Sequence, residues 1–317
     1  MALYLGVDVG ASGTRAVLVD GAGAVRGTGT GDRGQMERGA ALAAAAIAEA
    51  AGAALETARA AWSDVTGACF AVSGLDHDWQ LPALREALGA AGLPEARLEN
   101  DTLAAWAGGT GLRPGAVAVG GTGHNVLAVD ALGARCWQKD LGNLNRLIAL
   151  PRPGWQVGWT AIGLGLAAPE GSPLARTTLR YLDAPDAASA IEALREEQWT
   201  PGYGAAEVAG LAAEAGDPLA ALLLRTAGVG IGANVVLALR RLGMAAADCP
   251  VVYVGGLFRS PHLLAGFREA VEGACPRARL QPPLLPPVVG AALLAMDGAD
   301  AATCAALERS ARLAGLA

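Results

Sequence analysis

The chain has 317 residues, a formal net charge of −6, 53% hydrophobic and 17% charged residues. At roughly 150 residues per domain, this length predicts about two domains with large buried cores. The high hydrophobic content excludes a disordered chain, and the lack of a basic region argues against a nucleic-acid partner. Lys139 is the only lysine, which excludes mechanisms that depend on a P-loop lysine.

The sequence also favours a cytoplasmic location. No basic segment precedes the apolar N-terminal run, and Asp8 interrupts that run, so we expect no signal peptide. No uncharged stretch has the roughly 20 apolar residues of a membrane span without being broken by polar residues or proline, so no membrane association is expected. The cysteines are scattered and form no CxxC pair: Cys69, Cys136, Cys249, Cys275 and Cys304. This pattern predicts reduced thiols and a cytoplasmic protein.

A strand–turn–strand pattern occurs twice along the chain. Residues 3–9, 15–20 and 25–30 read as strands, with a glycine-rich turn after the first and a hairpin turn after the second. The same order recurs about 110 residues later, with strands at 116–119, 125–130 and 135–139. The repeat predicts two homologous lobes, each of which opens with a hairpin whose first turn is rich in glycine.

A second repeat supports the duplication. A short apolar strand ends at Ser73-Gly74, and another ends at Gly255-Gly256; each follows a helical stretch, at 39–62 and 218–242. Alternating strands and helices predict a mixed α/β fold with ligands at strand ends. We assign residues 1–114 to an N-terminal lobe and 115–317 to a C-terminal lobe, with 108–114 as the linker. The last helix, predicted at 301–316, is allowed to pack on the N-terminal lobe.

The two glycine-rich turns are candidate phosphate sites. Successive backbone N–H groups, together with serine and threonine hydroxyls, can surround phosphate oxygens where glycine permits close approach. Asp8, at the end of a buried strand, could hold Mg²⁺. Either turn alone could equally be an ordinary hairpin turn with a capped aspartate. The residues concerned are Asp8, Gly10, Ala11, Ser12, Gly13 and Thr14 in the first segment and Gly121, Thr122 and Gly123 in the second.

These motifs resemble those of the actin-like ATPase and sugar kinase superfamily, and within it the BadF/BadG/BcrA/BcrD ATPase family and its N-acetylglucosamine kinases. The resemblance runs from residue 3 to about residue 296, in the family's motif order. It implies two ribonuclease-H-like lobes with ATP and Mg²⁺ in the cleft between them, and a sugar deeper in that cleft. It also implies that Gly255-Gly256 face the adenosine and that the protein is a homodimer.

The same resemblance assigns roles on the sugar side. It implies that Asp101 is the catalytic base, which orients and deprotonates the attacking hydroxyl; the alternative is that Asp101 is only a helix N-cap. Amide and hydroxyl groups suit sugar hydroxyls because they both donate and accept hydrogen bonds. The candidate sugar-binding residues are Ser73, Gly74, Asn100, Asp101, Gly123 and Asn125.

Two stretches depart from the family pattern. A Gly-Asp-Glu-Gly-Ser motif is replaced by 154–158, which carries Trp155 and Gln156 instead of the acids; an alternative alignment places Asp140 there. The Asn-rich loop of the family is replaced by a segment with Arg33 and Gln35. Arg33 could bind an anionic group or be a solvated loop cation. His124, where the family often has serine, could contact phosphate or sugar or simply lie in a surface turn.

The sequence therefore predicts an ATP-dependent kinase of an amino sugar, N-acetylglucosamine or glucosamine. The departures on the sugar side keep two alternatives open: a kinase of the same fold for a neutral hexose or muramic-type sugar, and a noncatalytic nucleotide or sugar sensor.

Overall fold

The computed structural model describes residues 1–195, 204–296 and 299–316. The sequence also predicts a mainly helical stretch at 160–198, and the last three residues of that stretch lie outside the described part. The chain forms two compact units: residues 1–117 with 281–317, and residues 118–280. The predicted second lobe extended to residue 317, whereas in the structure the C-terminal segment groups with the first unit.

Strands and helices alternate along much of the chain. The strands are β1 (Leu3–Val9), β2 (Thr14–Asp20), β3 (Val25–Gly31), β4 (Val65–Val72), β5 (Arg97–Asn100), β6 (Gly115–Gly120), β7 (His124–Val129), β8 (Arg135–Trp137), β9 (Pro250–Val254) and β10 (Arg279–Gln281). The α-helices are α1 (Ala40–Ala58), α2 (Leu81–Ala90), α3 (Asp101–Thr110), α4 (Asn143–Leu147), α5 (Gly154–Ala167), α6 (Pro173–Leu182), α7 (Ala187–Arg195), α8 (Ala206–Glu214), α9 (Pro218–Arg241), α10 (Pro261–Ala274), α11 (Pro287–Ala295) and α12 (Ala301–Leu313).

The strands form two five-stranded sheets of equivalent order. The first runs β3-β2-β1-β4-β5, and the second, read from the other end, runs β8-β7-β6-β9-β10. In the first sheet β2 is antiparallel to β1, whereas β4 is parallel to β1 and β5 is parallel to β4. The sheets confirm the predicted mixed α/β class and the duplication read from the sequence.

The second hairpin turns of the two units are built alike around Asp20 and Asp130. The Asp20 carboxylate accepts from the N–H groups of Ala22 and Ala24, both at 2.9 Å. The Asp130 carboxylate accepts in the same way from Leu132 at 2.9 Å and Ala134 at 2.8 Å. An aspartate that binds backbone amides two and four residues on fixes a tight turn. The repeat therefore extends from the strand order to individual hydrogen bonds.

Glycine and alanine let helices approach the first sheet closely. A Cβ on Gly29 of β3 would lie 2.6 Å from the Ala54 nitrogen of α1, and one on Gly6 of β1 would lie 2.8 Å from the Ala292 Cα of α11. Ala16 and Leu18 of β2 belong to the core on the α1 side, whereas Val17 and Val19 belong to the α11 side. Alternate residues of a strand point to opposite faces, so the first sheet has helices packed on both faces.

Glycines also set the approach of α9 to α10 in the second unit. A Cβ on Gly228 would lie 2.8 Å from the Phe267 nitrogen, and one on Gly232 would lie 2.7 Å from the Ala270 Cβ. Asp217 caps α9 by accepting from the N–H groups of Leu219 and Ala220. The Gly228-x-Gly230-x-Gly232 run thus lies inside a helix and serves helix packing rather than a dinucleotide turn.

Two helices are long and apolar enough to cross a bilayer by length and composition alone. They are α1 and α9. Within the most apolar 18-residue segment of each helix, 44% of α1 and 67% of α9 is buried inside the protein. Both pack in the cores just described, and buried core helices pass the same test.

The predicted linker at 108–114 is wrong in its first half. Residues Gly108–Thr110 belong to α3 and are buried. A Cβ on Gly108 would lie 2.9 Å from the Leu285 carbonyl oxygen and 3.2 Å from the Gly290 Cα of α11. These glycines bring two helices together, and the same residue type in a sequence suggests a flexible connection.

Candidate functional site

The carboxyl ends of three parallel strands meet at one edge of the first sheet. Asp8 lies near the end of β1, Ser73 directly follows β4, and Asp101 directly follows β5. The backbone N–H of Ser73 donates to the Val9 carbonyl at 2.9 Å, which ties the end of β4 to the end of β1. This edge brings together the predicted metal residue, a predicted sugar residue and the predicted base within one unit.

Asp101 is a hydrogen-bonded carboxylate with an unusually high pKa. Burial raises the pKa to about 6, and the charge of Asp76 adds to the rise. Hydrogen bonds from the Ser73 side chain and from Thr102 act in the opposite direction, because they stabilise the ionised form. A carboxylate that titrates near neutrality and is held by a neighbouring hydroxyl is chemically suited to accept a proton.

Asp8 is the second carboxylate of this edge. Burial raises its pKa to about 7, the charge of Asp101 adds to the rise, and Arg15 opposes it. No hydrogen bond to its carboxylate occurs within the described residues. An uncompensated carboxylate of this kind fits Mg²⁺, which is commonly held by one or two carboxylates together with waters and substrate phosphates. No cluster of three or more potential His, Cys, Asp or Glu ligands exists in the described part of the chain.

Asn100, and not Asp101, is the N-cap of α3. Its amide oxygen accepts from the Thr102 N–H at 2.9 Å, and its amide nitrogen donates to Asp76 at 2.9 Å and to the Leu75 carbonyl at 3.3 Å. Asn100 is 7% exposed. Both ends of the amide are therefore engaged within the protein, and its predicted sugar contact remains a prediction. Because Asn100 caps the helix, the Asp101 carboxylate is not needed for capping.

The loop after β4 is held in a left-handed turn at Gly74. Its φ is +77°, and an added Cβ would meet the Glu37 carboxylate. The Gln80 side chain donates to the Gly74 carbonyl at 2.8 Å and accepts from the N–H groups of Asp76 and His77. These hydrogen bonds hold the loop that begins at Ser73 and so help to position the Ser73 hydroxyl beside Asp101.

The first glycine-rich turn closes with one backbone bond. The Gly10 N–H donates to the Gly13 carbonyl at 3.0 Å, and Ser12 between them is exposed, whereas Ala11 is half-buried. Thr14 is buried, and its hydroxyl donates to the Asp32 carbonyl at 2.6 Å. The Thr14 hydroxyl proton is therefore used to fix the loop after β3, and Ser12 is the hydroxyl of this turn that faces solvent.

The second glycine-rich turn also closes with one backbone bond, between residues two apart rather than three, and it has a helix docked on it. The Gly121 N–H donates to the Gly123 carbonyl at 2.9 Å. The first amides of α5 then donate to the turn, from Gly154 to the Gly121 carbonyl at 2.9 Å and from Trp155 to the Thr122 carbonyl at 3.1 Å. Residues 154–158, one of the two stretches that the sequence aligns with the acidic motif, thus lie directly against the second turn. The side chain of Asn125 accepts from the N–H of Val126.

The two glycines of the Gly255-Gly256 pair differ in their surroundings: Gly255 has a backbone conformation that requires glycine, and Gly256 borders open space. Gly255 has a φ of +109°, and an added Cβ would lie 2.8 Å from the Gly120 carbonyl carbon. Only glycine fits there without strain. A Cβ on Gly256 would meet nothing within 4 Å, so Gly256 borders free volume next to the strand ends of the second sheet.

His124 belongs to a polar cluster that the sequence did not predict. Its Nε2 lies 3.4 Å from the Asn234 amide nitrogen, and Asn234 in turn bonds to Asn145 at 3.2 Å. Arg152 donates to the Asn145 side chain at 2.6 Å and to Asn234 at 3.3 Å. Burial, with a smaller effect of Arg152, lowers the His124 pKa to about 4. His124 is therefore a neutral imidazole at pH 7 and not a solvated turn residue.

Three further residues that the sequence singles out, Arg33, Gln35 and Asp140, lie outside the edge of the first sheet and the two turns. Arg33 lines a surface pocket of about 300 Å³ together with Arg38 and Glu49. Gln35 is 4% exposed and packs inside the first unit. Asp140, the alternative acid, accepts from the Trp137 N–H at 2.8 Å and caps a short 3-10 helix. Asp140 is thus engaged in local structure.

No protein-family model matches the sequence, and the search of curated proteins gives no match either. Solved structures do match over nearly the whole chain. A proposed N-acetylglucosamine kinase from Chromobacterium violaceum is 24% identical, with a TM-score of 0.71, 93% of this chain and 99% of that chain covered.

Two further structures show the same likeness. A ROK family glucokinase from Streptomyces griseus, in complex with glucose and AMPPNP, is 20% identical with a TM-score of 0.62, covering 94% of this chain and 100% of that chain. A proposed N-acetylglucosamine kinase from Porphyromonas gingivalis is 18% identical with a TM-score of 0.61, covering 92% of this chain and 98% of that chain. At these identities the likeness concerns the fold. The fold is the two-lobed actin-like ATPase fold of sugar kinases, as predicted.

Proposed function

We propose that this protein is an ATP-dependent sugar kinase. The observation that carries the proposal is the edge of the first sheet, where Asp101 bonds to Ser73 and lies within electrostatic reach of Asp8. Two carboxylates with near-neutral pKa values suit a proton acceptor beside a cation site. The fold shared with sugar kinases supports the same conclusion.

The proposed reaction needs little covalent chemistry from the protein. The acceptor hydroxyl oxygen forms a bond to the γ-phosphorus of ATP, and the bond from that phosphorus to the ADP oxygen breaks. The proton of the hydroxyl moves to the Asp101 carboxylate. Asp101 acts by orienting the hydroxyl and receiving its proton, because phosphoryl transfer depends mainly on positioning and charge stabilisation.

Nucleotide binding is assigned to the two glycine-rich turns. We propose that the backbone amides of 10–14 and 121–123 contact phosphates and that Gly255 and Gly256 border the adenosine. Asp8 would hold Mg²⁺, which supplies positive charge to the phosphate oxygens when it is bound. The sugar contacts are proposed for Ser73, Gly74, Asn100, Gly123 and Asn125.

An amino sugar is the proposed acceptor. Support comes from the resemblance of the motifs to N-acetylglucosamine kinases and from the fold shared with two proposed members of that class. Neither acid of the family motif is present in 154–158, so the panel of acceptors must extend beyond amino sugars.

The test is ADP release by the purified protein with Mg²⁺ and ATP over a sugar panel. The panel contains N-acetylglucosamine, glucosamine, glucose, N-acetylmannosamine and muramic acid, and Asp101→Asn is assayed in parallel. Sugar-dependent release that Asp101→Asn abolishes is the expected result. ATP binding without release for any sugar would contradict the kinase proposal and favour a sensor.

A further inference from the structure

A charged side chain next to the second glycine-rich turn has no counter-ion among the described residues. Arg152 immediately precedes Pro153 and the docked end of α5, two residues before the Gly154 N–H that bonds to the turn. It makes no ion pair within the part of the chain described here. The groups around it, which are His124, Asn145 and Asn234, are all uncharged at neutral pH.

The guanidinium is held firmly on one side. Its Nη1 donates to the Asn145 carbonyl at 3.1 Å, to the Asn145 side chain at 2.6 Å and to the Asn234 side chain at 3.3 Å. The aliphatic part of the side chain packs over Gly230, where an added Cβ would lie 2.8 Å from the Arg152 Cγ. Asparagines from two distant segments and a glycine of α9 therefore fix the position of this one charge.

The other side of the same guanidinium is left unsatisfied. The Arg152 Nε is buried and has no hydrogen-bond partner, and Nη2 has none among the described residues. Nε and Nη2 together form the edge with which arginine binds carboxylate or phosphate through two parallel hydrogen bonds. A buried donor without an acceptor costs free energy, and an uncompensated, partly buried charge costs more. Unlike Nε, Nη2 is not buried, so anionic oxygens of a ligand can reach it and neutralise the charge.

We propose that Arg152 binds an anionic oxygen group of a ligand at the second glycine-rich turn. The anion is either a phosphate of the nucleotide or an acidic group, carboxylate or phosphate, on the acceptor. The acceptor source rests on the proposed kinase function and would make the substrate an acidic sugar derivative. The nucleotide source requires only nucleotide binding.

Calorimetric titration of the full-length protein tests the proposal without requiring catalysis. The probes are inorganic pyrophosphate, ADP, glucuronate, glucose 6-phosphate and uncharged glucose. The variants are Arg152→Gln, which removes the charge, and Arg152→Lys, which keeps the charge but loses the two-pronged edge. The matched control is Arg146→Gln, which makes the same charge change at an exposed position on α4.

We expect Arg152→Gln to weaken binding of at least one anionic probe about tenfold or more, as expected for hydrogen bonds to a charged group. Arg152→Lys should weaken it less, while Arg146→Gln and the glucose titration should match the wild type. An effect confined to pyrophosphate and ADP identifies the nucleotide as the source, and one confined to the acidic sugars identifies the acceptor.

Two results would overturn the proposal: wild-type protein that binds none of the anionic probes, or Arg152 variants that bind them all with wild-type affinity. Thermal unfolding of each variant shows whether it is folded, and Arg152→Lys remains informative if Arg152→Gln is not. Because binding is read directly, loss of the kinase proposal in the ADP-release assay leaves this result intact, and the reverse also holds.

Discussion

The side chain of Ser73 donates a hydrogen bond to the Asp101 carboxylate at the edge where β4 and β5 end. That bond stabilises the ionised form of Asp101 and lowers its pKa against the effect of burial. The proposed base therefore owes part of its ionised population near neutral pH to a residue from the neighbouring strand.

The activity of the wild type should rise with pH through about 6, where Asp101 ionises. Ser73→Ala removes a bond to the ionised carboxylate, so the limb of the kcat/KM profile should move to higher pH. Asp101→Asn should lower kcat by about 10²- to 10⁴-fold, the usual contribution of general-base catalysis. A Ser73→Ala profile with an unmoved limb would contradict the assigned hydrogen bond.

The raised pKa of Asp8 predicts that wild type and Asp8→Asn differ in stability by an amount that depends on pH. Its pKa is raised to about 7 in the folded protein from an ordinary value of 3.8, so the unfolded chain loses this proton at lower pH than the folded chain. The free energy of unfolding therefore falls as pH rises from about 4 to 7. Asp8→Asn should remove this penalty and stabilise the Mg²⁺-free protein by up to about 4 kcal/mol above pH 7, with little difference below pH about 4.

Urea unfolding at several pH values measures this difference. Glu86→Gln, at an exposed position on α2, serves as the control for loss of one negative charge. Wild-type protein with added Mg²⁺ should gain stability above pH 7, whereas Asp8→Asn should not. Equal stability of Asp8→Asn and wild type at all pH values would refute the raised pKa.

The close contact between α3 and α11 predicts that Gly→Ala substitutions have opposite effects on stability at a packed glycine and at an exposed one. A Cβ on Gly290 would lie 2.9 Å from the Ala104 carbonyl carbon, so Gly290→Ala should destabilise the protein by about 1 to 3 kcal/mol through overpacking. Gly52, exposed in the middle of α1, has nothing within 4 Å of an added Cβ. Gly52→Ala should stabilise by about 0.5 to 1 kcal/mol. Chemical denaturation of both variants decides, and a neutral Gly290→Ala would show that the helices can separate freely.

Alanine substitutions at Gly255 and Gly256 should distinguish an effect of backbone strain on stability from an effect of ligand contact on ADP binding. Gly255→Ala places a Cβ against the Gly120 backbone at a φ of +109°, so it should lower the melting temperature as well as ADP affinity. Gly256→Ala adds a methyl group into open space and should leave the melting temperature unchanged while weakening ADP binding. Calorimetry with ADP and a thermal melt measure the two effects. Full ADP affinity in Gly256→Ala would argue against adenosine at this position.

Much of the fold was predictable because the repeat is local in sequence. Strand–turn–strand patterns and the paired aspartates Asp20 and Asp130 lie within short segments, and their spacing carries the information. Helix N-capping was harder: Asn100 and Asp101 are both good caps, and only the hydrogen bond from Thr102 to Asn100 distinguishes them. The sequence likewise could not show whether Gly108 provides flexibility or close packing.

The Arg152 cluster was beyond prediction from the sequence. Asn234 is 82 residues from Arg152 and 89 residues from Asn145, and no spacing rule connects single asparagines at such separations. The available signal was weak: Arg152 stands between two prolines, two residues before the first residue of α5.

The assignment of residues 281–317 to the first unit has a consequence for biosynthesis. A nascent chain emerges from the ribosome with residues 1–117 complete long before α11 is made, so one face of β1 and β2 has no covering helix during that interval. The second unit is continuous from residue 118 to residue 280, so its synthesis is complete before that of the first unit. We therefore expect the order of folding on the ribosome to be the reverse of the order of the units in the sequence.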